Sequence, residues 1–244
     1  MTNIEKVEAH IQLGNSINVK KAIIAGDPAR ISKISKFLDN PSELKFNREF
    51  KSIVGYYHGE KILILSTGIG SPSTAIAIEE LFNIGVRQIV RVGSCGSLSG
   101  NLHIGDVVVA TGAVREDGLS KEYLPLSFPA CPSHAFLESS FRISTKDIKY
   151  GIIRSHDGFY MKSNNQKEAF WSKYNVLASD METSILYVIA AVRGIKSISI
   201  LNTVVEFNES LEDGVNDLVN GNKKMLKGEK ASIQLALQIL TEGD

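Results

Sequence analysis

The chain has 244 residues, 43% of them hydrophobic, enough to bury one sizeable core. Its 27 basic and 27 acidic side chains cancel. That excludes a nucleic-acid binder driven by bulk charge, so an arginine cluster here serves a small anion. Two cysteines, Cys95 and Cys131, give neither a disulfide framework nor metal-ligand spacing, and the first eight residues lack the apolar core of a signal peptide. With apolar runs too short for a bilayer, these features predict a cytoplasmic protein without a membrane partner.

In chain order, Ala22–Ala25 reads as a buried strand that ends in Gly26-Asp27-Pro28-Ala29-Arg30. Gly26 lets backbone approach a ligand, and Pro28 suits the first turn of a helix carrying Arg30. An anion there would meet free N–H groups and a guanidinium; a plain strand-to-helix turn with a surface Arg is the alternative. Arg48 follows, between Phe46 and Phe50, and alone it would pass as a surface charge. Phe50–Tyr57, His58-Gly59 and Lys61–Ser66 read as a hairpin.

The turn Ser66–Ser73 leads into a helix over Ser71–Phe82, with Ser71 as cap and Pro72 at the first helical position. Ala75, Ile78, Leu81 and Phe82 share one face. The turn fails as a dinucleotide fingerprint because Ser73 stands where the third Gly belongs. Gln88–Val92 is the next strand, and it enters Arg91-Val-Gly-Ser94-Cys95-Gly96-Ser97. A strand ending in Arg and small residues with hydroxyls behind makes an anion pocket.

Asp106–Ala110 and Ser197–Val205 complete the strand set, with helices over Glu182–Val192 and Glu229–Leu240. Phe207–Lys224 is polar, contains Gly214 and Gly221, and reads as a mobile flap or surface loop. Asp180 and Glu182 open an apolar helix; they are either ordinary N-terminal charge or, for Glu182, a carboxylate that accepts from a diol. Strands alternating with helices predict an α/β fold: one domain over 1–244, with a mixed, partly parallel central sheet flanked by helices.

Taken in order, His10, Gly26–Arg30, Asn47-Arg-Glu49, Ser66–Leu81, Arg91–Ser94, Gly105–Val109, Val114–Asp117 and Met181-Glu182 resemble the nucleoside phosphorylase family of the uridine phosphorylase and hexameric purine nucleoside phosphorylase type. The likeness covers nearly the whole chain. Ser66–Leu81 and Pro125–Ala130 look most like uridine phosphorylase; Ser94–Ser97 and Arg115-Glu-Asp117 look closer to some purine enzymes.

The resemblance implies phosphorolysis: phosphate attacks the anomeric carbon and yields (deoxy)ribose 1-phosphate and a free base. It implies phosphate binding by Gly26, Arg30, Arg91 and Ser94, with Arg48 reaching in from a neighbouring subunit. It places Met181 on the sugar, Glu182 on its 2′ and 3′ hydroxyls, the neighbour's His10 on the 5′ hydroxyl, and Phe159 on the base. Cys95 and Gly96 fall in the nucleoside-binding stretch. It further implies a homodimer with shared sites, assembled into a hexamer, with no cofactor required. A potassium ion between subunits would use Glu49, the Ile69 carbonyl and Ser73.

The match departs at the base. Uridine phosphorylases present a Gln and, two residues on, an Arg. Here those places hold Ser163 and Asn165, or with an insertion Gln166 and Glu168. Where purine enzymes place an acidic Asp, this chain has Val205 or Glu206. Glu206 is either a proton donor raised by burial or a solvated residue. The expectation is a uridine phosphorylase-like enzyme, with Arg91, Glu182 and Glu206 catalytic. The alternatives are a purine nucleoside phosphorylase, a nucleosidase that uses water, and an inactive nucleoside-binding paralogue.

Overall fold

A computed structural model describes residues 6–143, 147–209 and 222–242. Strand β1 (Lys21–Ala25) is buried along its whole length, as expected of a central parallel strand covered on both faces. It pairs in parallel with β4 (Glu60–Ser66) and β5 (Gln88–Ser97). The expected hairpin is β3 (Phe50–Tyr57) with β4, turned by His58 and Gly59 at φ 50° and 83°. Both residues lie in the left-handed region that such two-residue turns require. Beyond β3 lies an edge strand, β2 (Asp39–Asn47), whose side chains are mostly exposed. Its polar sequence hides it from a search for apolar runs, and Pro41 suits an unpaired edge.

The other half of the sheet contains β6 (Val107–Glu116), β7 (Ile148–His156), β8 (Ala178–Asp180) and β9 (Lys196–Val205). The strand order is β2-β3-β4-β1-β5-β8-β7-β6-β9, and β9 also pairs with β5 along its length. Strands β5, β8, β7, β6 and β9 therefore close into a ring. Parallel and antiparallel pairs alternate irregularly around it, as a mixed sheet predicts.

Two apolar layers cover the sheet. On β1, Ala22 and Ile24 face one layer with α2 (Ser71–Asn83) and α6 (Thr183–Arg193). Ile23 and Ala25 face the other with α1 (Pro28–Ile34), α4 (His134–Ile143) and α7 (Lys223–Glu242). Each fully buried Ile or Leu contributes roughly 1.5–3 kcal/mol. The short helices α3 (Ser120–Tyr123) and α5 (Asn164–Ser172) flank the ring. Pro28 and Pro72 fall in helix first turns as expected, and Asp27 caps α1 by accepting from the Ala29 N–H at 2.8 Å. Ser71 does not cap α2. Gly70 takes that place at φ 91°, where a side chain would be strained, and the buried Ser71 hydroxyl has no partner among the described residues. Helix α7 begins at Lys223, inside the segment read as a flap; residues 210–221 of that segment lie outside the described residues. Among the described residues, no helix is long and apolar enough to cross a membrane.

Candidate active site

A cavity of about 790 Å³ opens beyond the C-terminal ends of β1, β4, β5 and β9, where ligands of parallel sheets bind. One end is built from the turn after β1 and from β5 itself, which continues as strand to Ser97 instead of turning after Val92 as the sequence suggested. Arg30, on the first turn of α1, is buried and wraps β5: Nη1 donates to the Val92 carbonyl at 3.3 Å and Nη2 to Ser94 Oγ at 2.8 Å. Its Nε donates to Glu229 Oε1 at 2.8 Å, and Lys33 holds the second oxygen of Glu229 at 2.8 Å. Gly26 approaches the β4 turn so closely that a Cβ would lie 3.0 Å from the Gly68 carbonyl oxygen.

Arg91 projects from β5 across the cavity floor and is buried. Its Nη2 donates to Glu182 in a short ion pair, and its Nη1 lies 3.2 Å from Asp180. A Cβ on Gly93 would overlap the Arg91 guanidinium, so only glycine permits this path. Asp180 is anchored by Ser155 Oγ and Thr183 Oγ1, each donating at 2.6 Å. Glu182 sits at the N-terminus of α6 and accepts from the Gly70 N–H at 2.6 Å. Burial raises the Glu182 pKa, while Arg91 and the Gly70 N–H oppose that rise. An ionised carboxylate has lone pairs beyond those two contacts, which a diol can use.

Met181 and Phe159, both half-buried, flank the other end of the cavity with His156. Cys95 and Gly96 line it between the two ends. Burial pushes the Cys95 thiol up to about 12, so it stays protonated. At the rim, Glu49, Ile69 and Ser73 come together.

The model of the Phosphorylase superfamily matches residues 20–240. The chain belongs to that superfamily. A guanosine phosphorylase of Halorubrum lacusprofundi is 37% identical over 206 residues, which are 83% of this chain and 80% of the relative. A uridine phosphorylase of Treponema pallidum is 35% identical over 208 residues, 80% of each chain. Among solved structures, uridine phosphorylase from Vibrio fischeri ES114 complexed with 6-hydroxy-1-naphthoic acid superposes with a TM-score of 0.89 at 37% identity, covering 97% of both chains.

The fold and family expected from the sequence thus hold for this member of the phosphorylase superfamily. Gly26, Arg30, Arg91, Ser94, Cys95, Gly96, Phe159, Met181 and Glu182 all line the one cavity. Four other candidates lie away from it within their own chain. Arg48 is exposed on the β2–β3 turn at φ 53°. His10 is tied to α2, with Nδ1 2.7 Å from Glu80. Gln166 is exposed on α5. Glu206 meets His103 Nδ1 at 3.3 Å and accepts from the Ile104 N–H at 3.3 Å. The His103 hydrogen bond chiefly lowers the Glu206 pKa, the reverse of what a proton donor needs.

Sequence reasoning passed over Glu229 and His156. Glu229 is 199 residues from Arg30, and nothing local marks it as a partner. His156 ends a strand of mixed polarity that no apolar run announces.

Proposed function

We propose that the protein is a nucleoside phosphorylase, a pentosyltransferase that moves the sugar of a nucleoside onto inorganic phosphate and releases the free base. A uridine-like substrate is the leading reading and a purine nucleoside the alternative. One observation carries the proposal: two buried guanidinium groups, Arg30 and Arg91, line a cavity that Glu182 and Phe159 also line.

The chemistry follows from that placement. Phosphate beside Arg30, Ser94 and Arg91 is fixed below the sugar as both nucleophile and counter-charge. Glu182 clamps the sugar hydroxyls. As the glycosidic bond stretches, positive charge grows on the sugar ring; the phosphate dianion stabilises it and then bonds to the anomeric carbon. The bonding electrons leave with the base, which is protonated to the free form. Glu206 stays outside this step.

Charge balance supports a shared site. Arg30 and Arg91 line the cavity with four carboxylates, Asp27, Glu49, Asp180 and Glu182, while Lys33 and Glu229 pair behind Arg30. A dianion in a pocket already rich in carboxylates needs another cation, and Arg48 of a second copy supplies it in this reading, with His10 of that copy on the 5′ hydroxyl. The assembly is then at least a homodimer, extended to a hexamer. Glu49, the Ile69 carbonyl and Ser73 offer only oxygen and one carboxylate, which suits potassium at the shared rim. The Ser73 hydroxyl already donates to the Ile69 carbonyl at 3.2 Å, so these groups lie within reach of one ion.

The test is base release from uridine, thymidine, inosine, guanosine and adenosine, each with and without phosphate or arsenate. Phosphate-dependent release from at least one nucleoside is expected. Equal rates without phosphate would move the assignment to a nucleosidase; nucleoside binding without release would leave a binding protein. For the shared site, mixing Arg48→Ala chains with Glu182→Ala chains should restore turnover that neither has alone.

A further inference from the structure

Behind the base end of the cavity, three buried polar atoms have no hydrogen-bond partner among the described residues: His156 Nδ1, Arg154 Nη1 and Glu168 Oε1. Such atoms are costly, and an unsatisfied cluster beside a cavity asks for a reason. Two of them sit on β7. Arg154 and His156 are two residues apart, on the same face of the strand, at its C-terminal end. Arg154 is fully buried. Its Nε donates to Glu116 Oε2 at 2.7 Å and its Nη2 to Asn164 Oδ1 at 3.4 Å.

The frame around them is rigid. Glu116 is also held by Trp171 Nε1 at 2.9 Å. Asn164 donates to the carbonyls of Gly158 and Phe159 at 2.7 and 2.9 Å. The residue that holds Arg154 therefore also holds the turn that carries Phe159. His156 is 4% exposed and lines the cavity beside Phe159.

The Arg154 guanidinium can only donate, yet its Nη1 makes no hydrogen bond to the ring, since neither it nor His156 Nδ1 has a partner among the described residues. With no acceptor at hand, the sealed Nδ1 is best left as a lone pair, which puts the imidazole proton on Nε2. The charged groups that face the ring are Arg154 on its own strand, Asp180 on β8 and Glu116 on β6. Burial first, and then Arg154, lower the His156 pKa to about 4, against the raising influence of Asp180, the Gly158 backbone and Glu116. The ring is neutral at neutral pH.

We propose that His156 reads the base: its Nε2–H donates into the cavity to a ring carbonyl oxygen, with the buried Arg154 guanidinium behind the ring. The preferred substrates are then nucleosides of oxo bases, such as uridine, inosine or guanosine. An exocyclic amino group in the same place, as in cytidine or adenosine, sets donor against donor. The inference rests on the nucleoside phosphorylase reading and supplies a base-recognition group where α5 presents Glu168 rather than an arginine.

The experiment compares wild type, His156→Leu and His156→Gln. It measures kcat/KM on the five nucleosides above at saturating phosphate, and calorimetric binding of free uracil, hypoxanthine, cytosine and adenine. Leu should lose ~10–100-fold on the preferred oxo nucleoside and erase the oxo-over-amino ratio, with KM for phosphate unchanged. Gln keeps an N–H near the Nε2 position and should recover most of that loss. Nitrogen NMR should show wild-type His156 protonated on Nε2, and Arg154→Met should raise its pKa. A folded Leu variant with wild-type kcat/KM and base ratio, or a ring protonated on Nδ1, overturns the proposal. Free-base binding decides the role of His156 even if no nucleoside is phosphorolysed, so the two readings fail separately.

Discussion

The two ends of the cavity are built on opposite plans. At the proposed phosphate and sugar end, both guanidinium groups already have carboxylate partners from their own chain: Arg30 with Glu229, and Arg91 with Asp180 and Glu182. At the proposed base end, His156 Nδ1 and Arg154 Nη1 are buried and unpartnered among the described residues. Pairing makes the first end stiff and keeps its guanidinium groups in place before ligand arrives, which is what electrostatic catalysis requires. Missing partners make the second end selective, because a buried donor discriminates by what it fails to satisfy. Changes at the first end should therefore damage rate and stability together. Changes at the second should alter preference and leave the fold largely intact.

The largest expected effect is Arg91→Ala. Phosphate-dependent kcat/KM should fall by ~1,000-fold, as for loss of a charge-stabilising group. Urea unfolding should show a stability loss of about 3–5 kcal/mol, since Glu182 and Asp180 lose their buried counter-charge. Wild-type turnover in this variant would break the comparison at its root. Next is Glu182→Gln, which keeps the shape and removes the charge. We expect a drop of ~100-fold in kcat/KM on ribonucleosides, smaller on 2′-deoxynucleosides, which offer one hydroxyl fewer. An equal loss on both sugars would argue against a role on the diol.

A third prediction concerns His156 and pH. Its pKa is 6.5 in the ordinary state and about 4 in the fold, so between those values the unfolded chain binds the extra proton. Stability therefore rises with pH from about 4 to 6.5, is lost as pH falls through that window, and is indifferent to this group above it. The full span is at most about 3 kcal/mol. The wild-type unfolding free energy minus that of His156→Gln should carry this slope; a flat difference would mean the ring titrates normally. The smallest effect is Glu229→Gln, which loosens Arg30 without touching substrate. KM for phosphate should rise by ~3–10-fold with kcat nearly unchanged, one weakened charge-assisted contact. An unchanged KM would show that Ser94 and Val92 alone hold Arg30 in place.

The same contrast governs what could be read from the sequence. Gly26–Arg30 was legible because a strand, a tight turn and a basic residue are local; Arg91–Gly96 was read as a turn, whereas β5 runs on to Ser97 and brings these residues to the cavity as strand. Glu182 was legible from its position at the start of an apolar helix. Glu229 was not, because its importance comes from a contact between α1 and α7 that only the folded sheet creates. Arg154 and His156 were hidden for a related reason. A strand of mixed polarity reads as partly solvated, whereas ring closure buries these two polar side chains completely or nearly so. Ser71 misled because serine favours caps in general, while the β4 turn needs the positive φ of Gly70. Strands β2, β7 and β8 were missed, the first for being exposed, the second for its mixed polarity and the third for having three residues.

The circular closure of β5, β8, β7, β6 and β9 has a mechanical result. A barrel segment without a loose margin cannot peel from one side, so its members should protect their amides from exchange as one block and release them together. Arg91 on β5, Asp180 on β8 and His156 on β7 are staves of that same hoop. The strands of Arg91 and of the proposed base reader His156 consequently share one fate on heating: neither can melt while the other stands.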